Sequence, residues 1–193
     1  MIEKTIKGIK YLLDEENLTA EVIYKKGYEG DIIIPEIVVF KKVAYRVTSI
    51  GGWAFEDCSS LTSIVIPDSV TSIGSGAFYY CTSLTSMVIP DGVTSIAWRA
   101  FRFCKSLTSI VIPDGVTSIG QEAFSGCSSL TSIVIPESVM SIGKGAFKWC
   151  RYLTSMAFNG TIAQWKGIEL GDEWNDYVPA RVIHCTDGEV EIN

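Results

Sequence analysis

Leu107–Gly120 reads LTSIVIPDGVTSIG, and three near-copies sit elsewhere in the chain: LTSIVIPDSVTSIG from Leu61, LTSMVIPDGVTSIA from Leu84 and LTSIVIPESVMSIG from Leu130. The copies keep one step. Leu61, Leu84, Leu107, Leu130 and Leu153 are 23 residues apart, and Phe55, Phe78, Phe101, Phe124 and Phe147 keep the same interval. So do Pro67, Pro90, Pro113 and Pro136, and so do Cys58, Cys81, Cys104, Cys127 and Cys150. A fixed period in the range of about 20–50 residues signals a stacked array, in which each unit buries its apolar face only against its neighbours.

One unit can be followed residue by residue. Leu61, Ile64 and Ile66 face inward from a strand, and Ser63 and Val65 alternate outward. Pro67 ends the strand because it lacks an N–H and fixes its own φ. Asp68 and Ser69 turn the chain, and Val70–Ile73 supplies a second short extended segment. Gly74 and Gly76 redirect it into Ala77-Phe78-Tyr79-Tyr80-Cys81, expected as one helical or 3-10 turn. Stacked coils place identical strands about 4.8 Å apart in a parallel sheet.

The pattern C-x-x-L-x-x-I-x-I-P-x-x-V-x-x-I-x-x-x-A-F, running through Cys58–Phe147, resembles the 23-residue leucine-rich repeat of the BspA-like family, also called the Treponema pallidum type. The resemblance implies a β-rich α/β fold: a right-handed leucine-rich-repeat solenoid with a parallel sheet on one face, short helical or 3-10 turns on the other, and capping hairpins at both ends. It extends to an N-terminal β cap in which Ile32–Pro35 stand in for the first IVIP, and to the family's usual C-terminal segment. It implies a binding module, often on bacterial cell surfaces and linked to adhesion to host proteins.

The caps also follow from physics, since an open solenoid has two exposed ends that need atypical covers. The expected organisation is one domain over 1–193, with an N-terminal β cap at 1–46, repeats at 47–157 and a C-terminal cap at 158–193. YLLDEENLTAEVIY, from Tyr11, flanks a polar turn with two apolar segments and predicts a hairpin. Thr161-Ile-Ala-Gln164 fits a capping box opening a short helix with Trp165, and Trp174 is expected to help seal the last coil. Asp187-Gly188 predicts a second hairpin turn.

Composition narrows the classes. The chain is 47% hydrophobic, which excludes disorder, and its net charge of −6 argues against nucleic acid, which needs basic surface. No apolar run reaches the roughly 18 residues of a membrane span. The start has no uninterrupted apolar stretch of signal-peptide type, so either the protein stays in the cell or its export signal is absent from this chain. Cell-surface or secreted placement rests on the resemblance alone. Two sequons, at Asn17 and Asn159, bear on glycosylation only in a secreted eukaryotic setting.

No catalytic, cofactor or metal residue is assigned. His184 is the single histidine, and Cys185 beside it points to the opposite strand face, which does not suit proton transfer. No nucleophile elbow, zinc-protease helix or phosphate loop occurs. The thiol row reads as a buried ladder, with disulfides between coils or a metal as alternatives. Asp68, Asp91, Asp114 and Glu137 form a carboxylate row, read as solvated turn chemistry with Ca²⁺ as the alternative.

Internal comparison locates variation. The outward strand row hardly changes: Ser63 and Val65, Ser86 and Val88, Ser109 and Val111, Ser132 and Val134. The turn changes from SGAFYYCTS to WRAFRFCKS, QEAFSGCSS and KGAFKWCRY. Candidate partner-binding residues are therefore Trp98, Arg99, Arg102, Phe103 and Lys105, with Lys148, Trp149, Arg151 and Tyr152. Aromatics beside arginine are enriched at interface hot spots and suit protein or glycan faces. Against this, some of these aromatics are expected to pack along the turns, and Arg99 to pair with Glu122 on the surface. The expected function is a non-enzymatic protein- or glycan-interaction module, the alternative a structural or self-associating solenoid. A monomer is expected, with weak self-association through the Ser/Val face.

Overall fold

A computed structural model describes residues 1–192; Asn193, the last residue of the expected C-terminal cap, lies outside the described residues. The chain opens with β1 (Ile2–Ile6), β2 (Ile9–Asp14) and β3 (Thr19–Val22), an antiparallel meander whose alternate residues, such as Tyr11 and Leu13, are buried. The hairpin turn between β2 and β3 is closed by Asp14, whose carboxylate accepts from the amides of Glu16 and Asn17. After β4 (Glu29–Ile33), an inserted antiparallel hairpin, β5 (Ile37–Phe40) and β6 (Val43–Ile50), returns the chain beside β3.

From there the coils repeat. β7 (Ser60–Val65), β8 (Ser72–Ile73), β9 (Ser86–Val88), β10 (Ser95–Ile96), β11 (Ser109–Val111), β12 (Ser118–Ile119), β13 (Ser132–Ile135), β14 (Ser141–Ile142) and β15 (Ser155–Phe158) alternate between two parallel stacks. The odd-numbered strands form the main face, pairing in exact 23-residue register, as in Ser86 with Ser109 and Ser132 with Ser155. That face comprises two four-stranded sheets, and β11 and β13 lie at their adjoining ends. The even-numbered strands form a narrow second side that begins on β6.

The third side is the turn. Within a coil, Ala77, Tyr79 and Cys81 donate to Gly74, Gly76 and Phe78 in i→i+3 bonds of 3-10 type. The residues between them, Gly76, Phe78 and Tyr80, donate instead to Trp98, Ala100 and Arg102 of the next coil at 2.8, 2.8 and 3.0 Å. Alternate amides thus point along the solenoid axis, so these turns bond their neighbours as a strand does and do not wind into a helix. On the turn side every coil hydrogen-bonds the next, whereas each strand side has one break, between β11 and β13 on the main face and between β8 and β10 on the second side.

The interior is filled by the periodic residues. The Phe55, Phe78, Phe101, Phe124 and Phe147 rings stack with centroids 5.2–5.4 Å apart and planes within 8°. Each is fully buried, as are the alanine before it and the following leucine, Leu61 through Leu153. Full burial of one such side chain contributes about 1.5–3 kcal/mol. Tyr28 closes the ring stack at one end, 4.7 Å from Phe55, and Trp174 at the other, 6.2 Å from Phe147 in an edge contact.

Trp174 follows Phe147 by 27 residues rather than 23, and the longer coil contains α1 (Ile162–Trp165). Its capping box is present: the Thr161 hydroxyl accepts from the Gln164 amide at 3.2 Å, and the Gln164 side chain accepts from the Thr161 amide at 2.8 Å. β16 (Glu169–Leu170) then adds to the second side, and β17 (Val182–Cys185) with β18 (Gly188–Glu191) ends the main face in an antiparallel hairpin.

Candidate interaction surface

The turn side takes its shape from backbone conformation. Each coil passes through the left-handed region twice, four residues apart. The first position is held by Trp53, Gly76, Arg99, Glu122, Gly145 and Glu173; the second by Asp57, Tyr80, Phe103, Gly126, Trp149 and Tyr177. Glycine adopts this conformation freely, whereas a side chain there costs of order 1 kcal/mol or more. Arg99, Phe103 and Trp149, all candidates from the sequence, occupy such positions with φ of 55°, 61° and 64°.

At two of the three glycines used, Gly76 and Gly126, a neighbouring ring also requires it. A Cβ on Gly76 would fall into the Trp53 ring, and one on Gly126 into the Phe103 ring. Large side chains from one coil therefore lie flat across the glycine of the next.

Two patches result. In the first, Trp98 meets the Trp53 ring edge-on at 5.7 Å, Trp53 meets Tyr79 at 5.6 Å, and Tyr80 contacts both Tyr79 and Phe103 at 4.7 Å. Arg99 covers the Trp98 ring at 4.3 Å and Arg102 the Phe103 ring at 4.7 Å. Both guanidiniums converge on one carboxylate oxygen of Glu122, at 2.5 and 2.9 Å. The expected Arg99–Glu122 pair is thus a three-residue network, half-buried, and Glu122 neutralises much of the positive charge. Trp98 and Lys105 are the exposed members, while Arg99, Arg102 and Phe103 are half-buried.

The second patch lies on the last repeat. Lys148 bonds Glu173 at 2.5 Å and reaches Asp176 at 3.4 Å. The Glu173 hydrogen bond holds the ammonium above its ordinary pKa and, in return, the Glu173 carboxyl below its own. Trp149 lies 6.4 Å from Tyr177, tilted by 30°, and Arg151 and Tyr152 are exposed. A groove of about 500 Å³ opens beside Arg151, Tyr177 and Arg181.

Trp53, Tyr177 and Arg181 belong to these patches without having been singled out in the sequence. Trp53 holds the same repeat position as Arg99, so carrying the 23-residue register one unit further toward the N-terminus finds it. Tyr177 and Arg181 escape because the four-residue lengthening after Phe147 breaks that register.

Elsewhere the chemistry is sparse. His184 Nδ1 lies 3.0 Å from Glu189 Oε1 across the terminal hairpin, in an exposed setting. The carboxylate row at Asp68, Asp91, Asp114 and Glu137 is exposed. The five periodic thiols are free and buried. Among the described residues, no helix is long and apolar enough to cross a membrane.

With this geometry, comparison with known families is decisive. Residues 42–167 match the BspA type leucine rich repeat region in six copies. The chain belongs to the BspA-type leucine-rich repeat family. Among solved structures, a leucine-rich repeat protein from Bacteroides ovatus is 33% identical with a TM-score of 0.81, over 93% of this chain and 46% of that one. A leucine rich cell surface protein from Faecalibacterium prausnitzii is 30% identical with a TM-score of 0.68, over 97% of this chain and 55% of that one. The T. pallidum leucine rich repeat protein is 27% identical with a TM-score of 0.69, over 88% and 86%. The chain spans about half the length of the first two. No curated protein matches the sequence. Leucine-rich repeat proteins generally mediate protein interactions and are generally non-enzymatic.

Proposed function

We propose that this chain is a non-enzymatic interaction module of surface-adhesion type, binding a protein or glycan through the two turn-side patches. The supporting observation is that the coils repeat their core and sheet face almost unchanged while their turn side differs. That side carries tryptophan, tyrosine and arginine at backbone positions where glycine is easier, and strain kept at such positions is a pointer to function. Trp98, Arg99, Arg102, Phe103 and Lys105 form the first contact region; Lys148, Trp149, Arg151 and Tyr152 form the second. The cell-surface description of the Faecalibacterium protein adds an analogy of location. The test is an array of host extracellular-matrix proteins and glycans probed with wild type and with Trp98→Ala/Trp149→Ala. Binding lost by the variant with an unchanged thermal melt supports the proposal, and binding retained rejects it.

A second reading has its own observation. Val65, Val88, Val111 and Val134 are 49–68% exposed in one line on the sheet face, and such a row suits pairing with another copy. Light scattering across a concentration series separates the two, because self-association raises the apparent mass and an interaction monomer does not.

A further inference from the structure

The groove between the last repeat and the C-terminal strand stands out by how the chain uses its arginines. There are five. Arg46 pairs with Glu36 at 3.0 Å, and Arg99 and Arg102 share Glu122. Arg151 and Arg181 form no ion pair with any of the described residues, and both line the same groove of about 500 Å³. This happens at the acidic end of an acidic chain, where carboxylates for pairing are plentiful. Asp176, also in the groove wall, shares Lys148 with Glu173, so that trio keeps one negative charge and the two guanidiniums leave the groove net positive.

An aromatic wall accompanies the guanidiniums. Tyr177 is 69% exposed although its backbone sits at φ 61°, and Trp149 lies tilted beside it. Planar guanidinium groups bind a carboxylate or sulfate through paired N–H donors. Exposed flat rings suit the C–H face of a pyranose. The groove volume falls within the roughly 300–1,000 Å³ of small-molecule sites. Two cations in one groove do not make the extended basic track that polyphosphate binding needs.

We infer that this groove binds an acidic saccharide, a sugar bearing a carboxylate or sulfate, with Arg151 and Arg181 clamping the anion and Tyr177 supporting the ring. The inference rests on reading the turn side as an interaction surface, but it uses no residue of the Trp98 patch, so the two can fail separately.

Isothermal titration calorimetry tests it with glucuronic acid, N-acetylneuraminic acid and a sulfated disaccharide, against lactose, sodium sulfate and an acidic peptide. Acidic sugars should bind, lactose should not, and added salt should weaken binding. Arg151→Gln/Arg181→Gln should lower affinity at least tenfold with an unchanged melt. Tyr177→Ala should weaken sugar binding several-fold. The inference is overturned if no acidic sugar binds wild type, if the arginine variant binds normally, or if sulfate or the peptide binds as tightly as the sugars. If the sugars fail while an array ligand still depends on Trp98, the groove alone is misread; if both fail, the interaction reading falls with it.

Discussion

The Cys104 thiol donates to the carbonyl of Phe78, 26 residues earlier, at 3.1 Å. The same bond recurs from Cys81 to Phe55, from Cys127 to Phe101 and from Cys150 to Phe124, at 3.1–3.2 Å. The thiol row therefore ties each coil to the one before it, through the residue that also carries the stacked ring. Burial disfavours the thiolate and pushes Cys104 and Cys150 up to about 12, with Cys81 and Cys127 also raised.

An alkaline limit to stability follows. In the unfolded chain these thiols ionise near pH 8.5–9, while in the fold they keep their protons. Above that pH the unfolded state binds fewer protons than the native state, so stability falls as pH rises. Their contribution is complete below about pH 8.5 and drains away toward pH 12. Urea midpoints between pH 7 and 11 should decline, and less steeply in Cys104→Ala/Cys127→Ala. A flat wild-type profile would contradict this.

Thiol reactivity gives a second check. A maleimide added to native protein should modify Cys185, the half-buried thiol of the hairpin, and spare the five periodic ones. All six should react in denaturant without reductant. Fewer than six would reveal disulfides.

The ring stack is the most sensitive part of the core. Phe101→Ala should cost about 3–5 kcal/mol, because it leaves a cavity between Phe78 and Phe124. Val88→Thr, on the exposed sheet row, should change stability by less than about 0.5 kcal/mol. Equal effects of the two would deny that the interior is built as described.

Gly76 and Gly145 separate backbone strain from packing, since both occupy the first left-handed position with φ of 62° and 61°. Gly145→Ala finds open room, its nearest neighbour lying 3.7 Å away, and should cost about 1 kcal/mol from strain alone. Gly76→Ala strikes the Trp53 ring and should cost clearly more. Paired denaturation curves decide it.

These examples show what could be read from the chain before its structure. The solenoid was legible because leucine, proline, phenylalanine and cysteine repeat in one register, and each has one physical job in a coil. The capping box at Thr161 and the Asp187-Gly188 hairpin turn were legible because local residue chemistry specifies them. The alternation of amides on the turn side was not, since Ala77–Cys81 carries no signal that every second N–H serves the next coil. The pairing of Arg102 with Glu122 and of Lys148 with Glu173 depends on neighbours 20 and 25 residues away. Composition marks such residues as cationic and says nothing of which are already neutralised.

That distinction bears on Glu122. Removing its charge leaves Arg99 and Arg102 unpaired in a half-buried setting, so Glu122→Gln should destabilise by about 1–3 kcal/mol. It should also make the first patch more cationic, so that any anionic ligand of that patch binds more tightly at low salt.

The most direct test of the account sets its two faces against each other on one array of matrix proteins and glycans. One variant carries Trp98→Ala with Trp149→Ala on the turn side; the other carries Val88→Ser with Val111→Ser on the sheet side. The account predicts that the turn-side variant loses the bound partner while the sheet-side variant keeps it, both melting close to wild type. Loss confined to the sheet-side variant would contradict it.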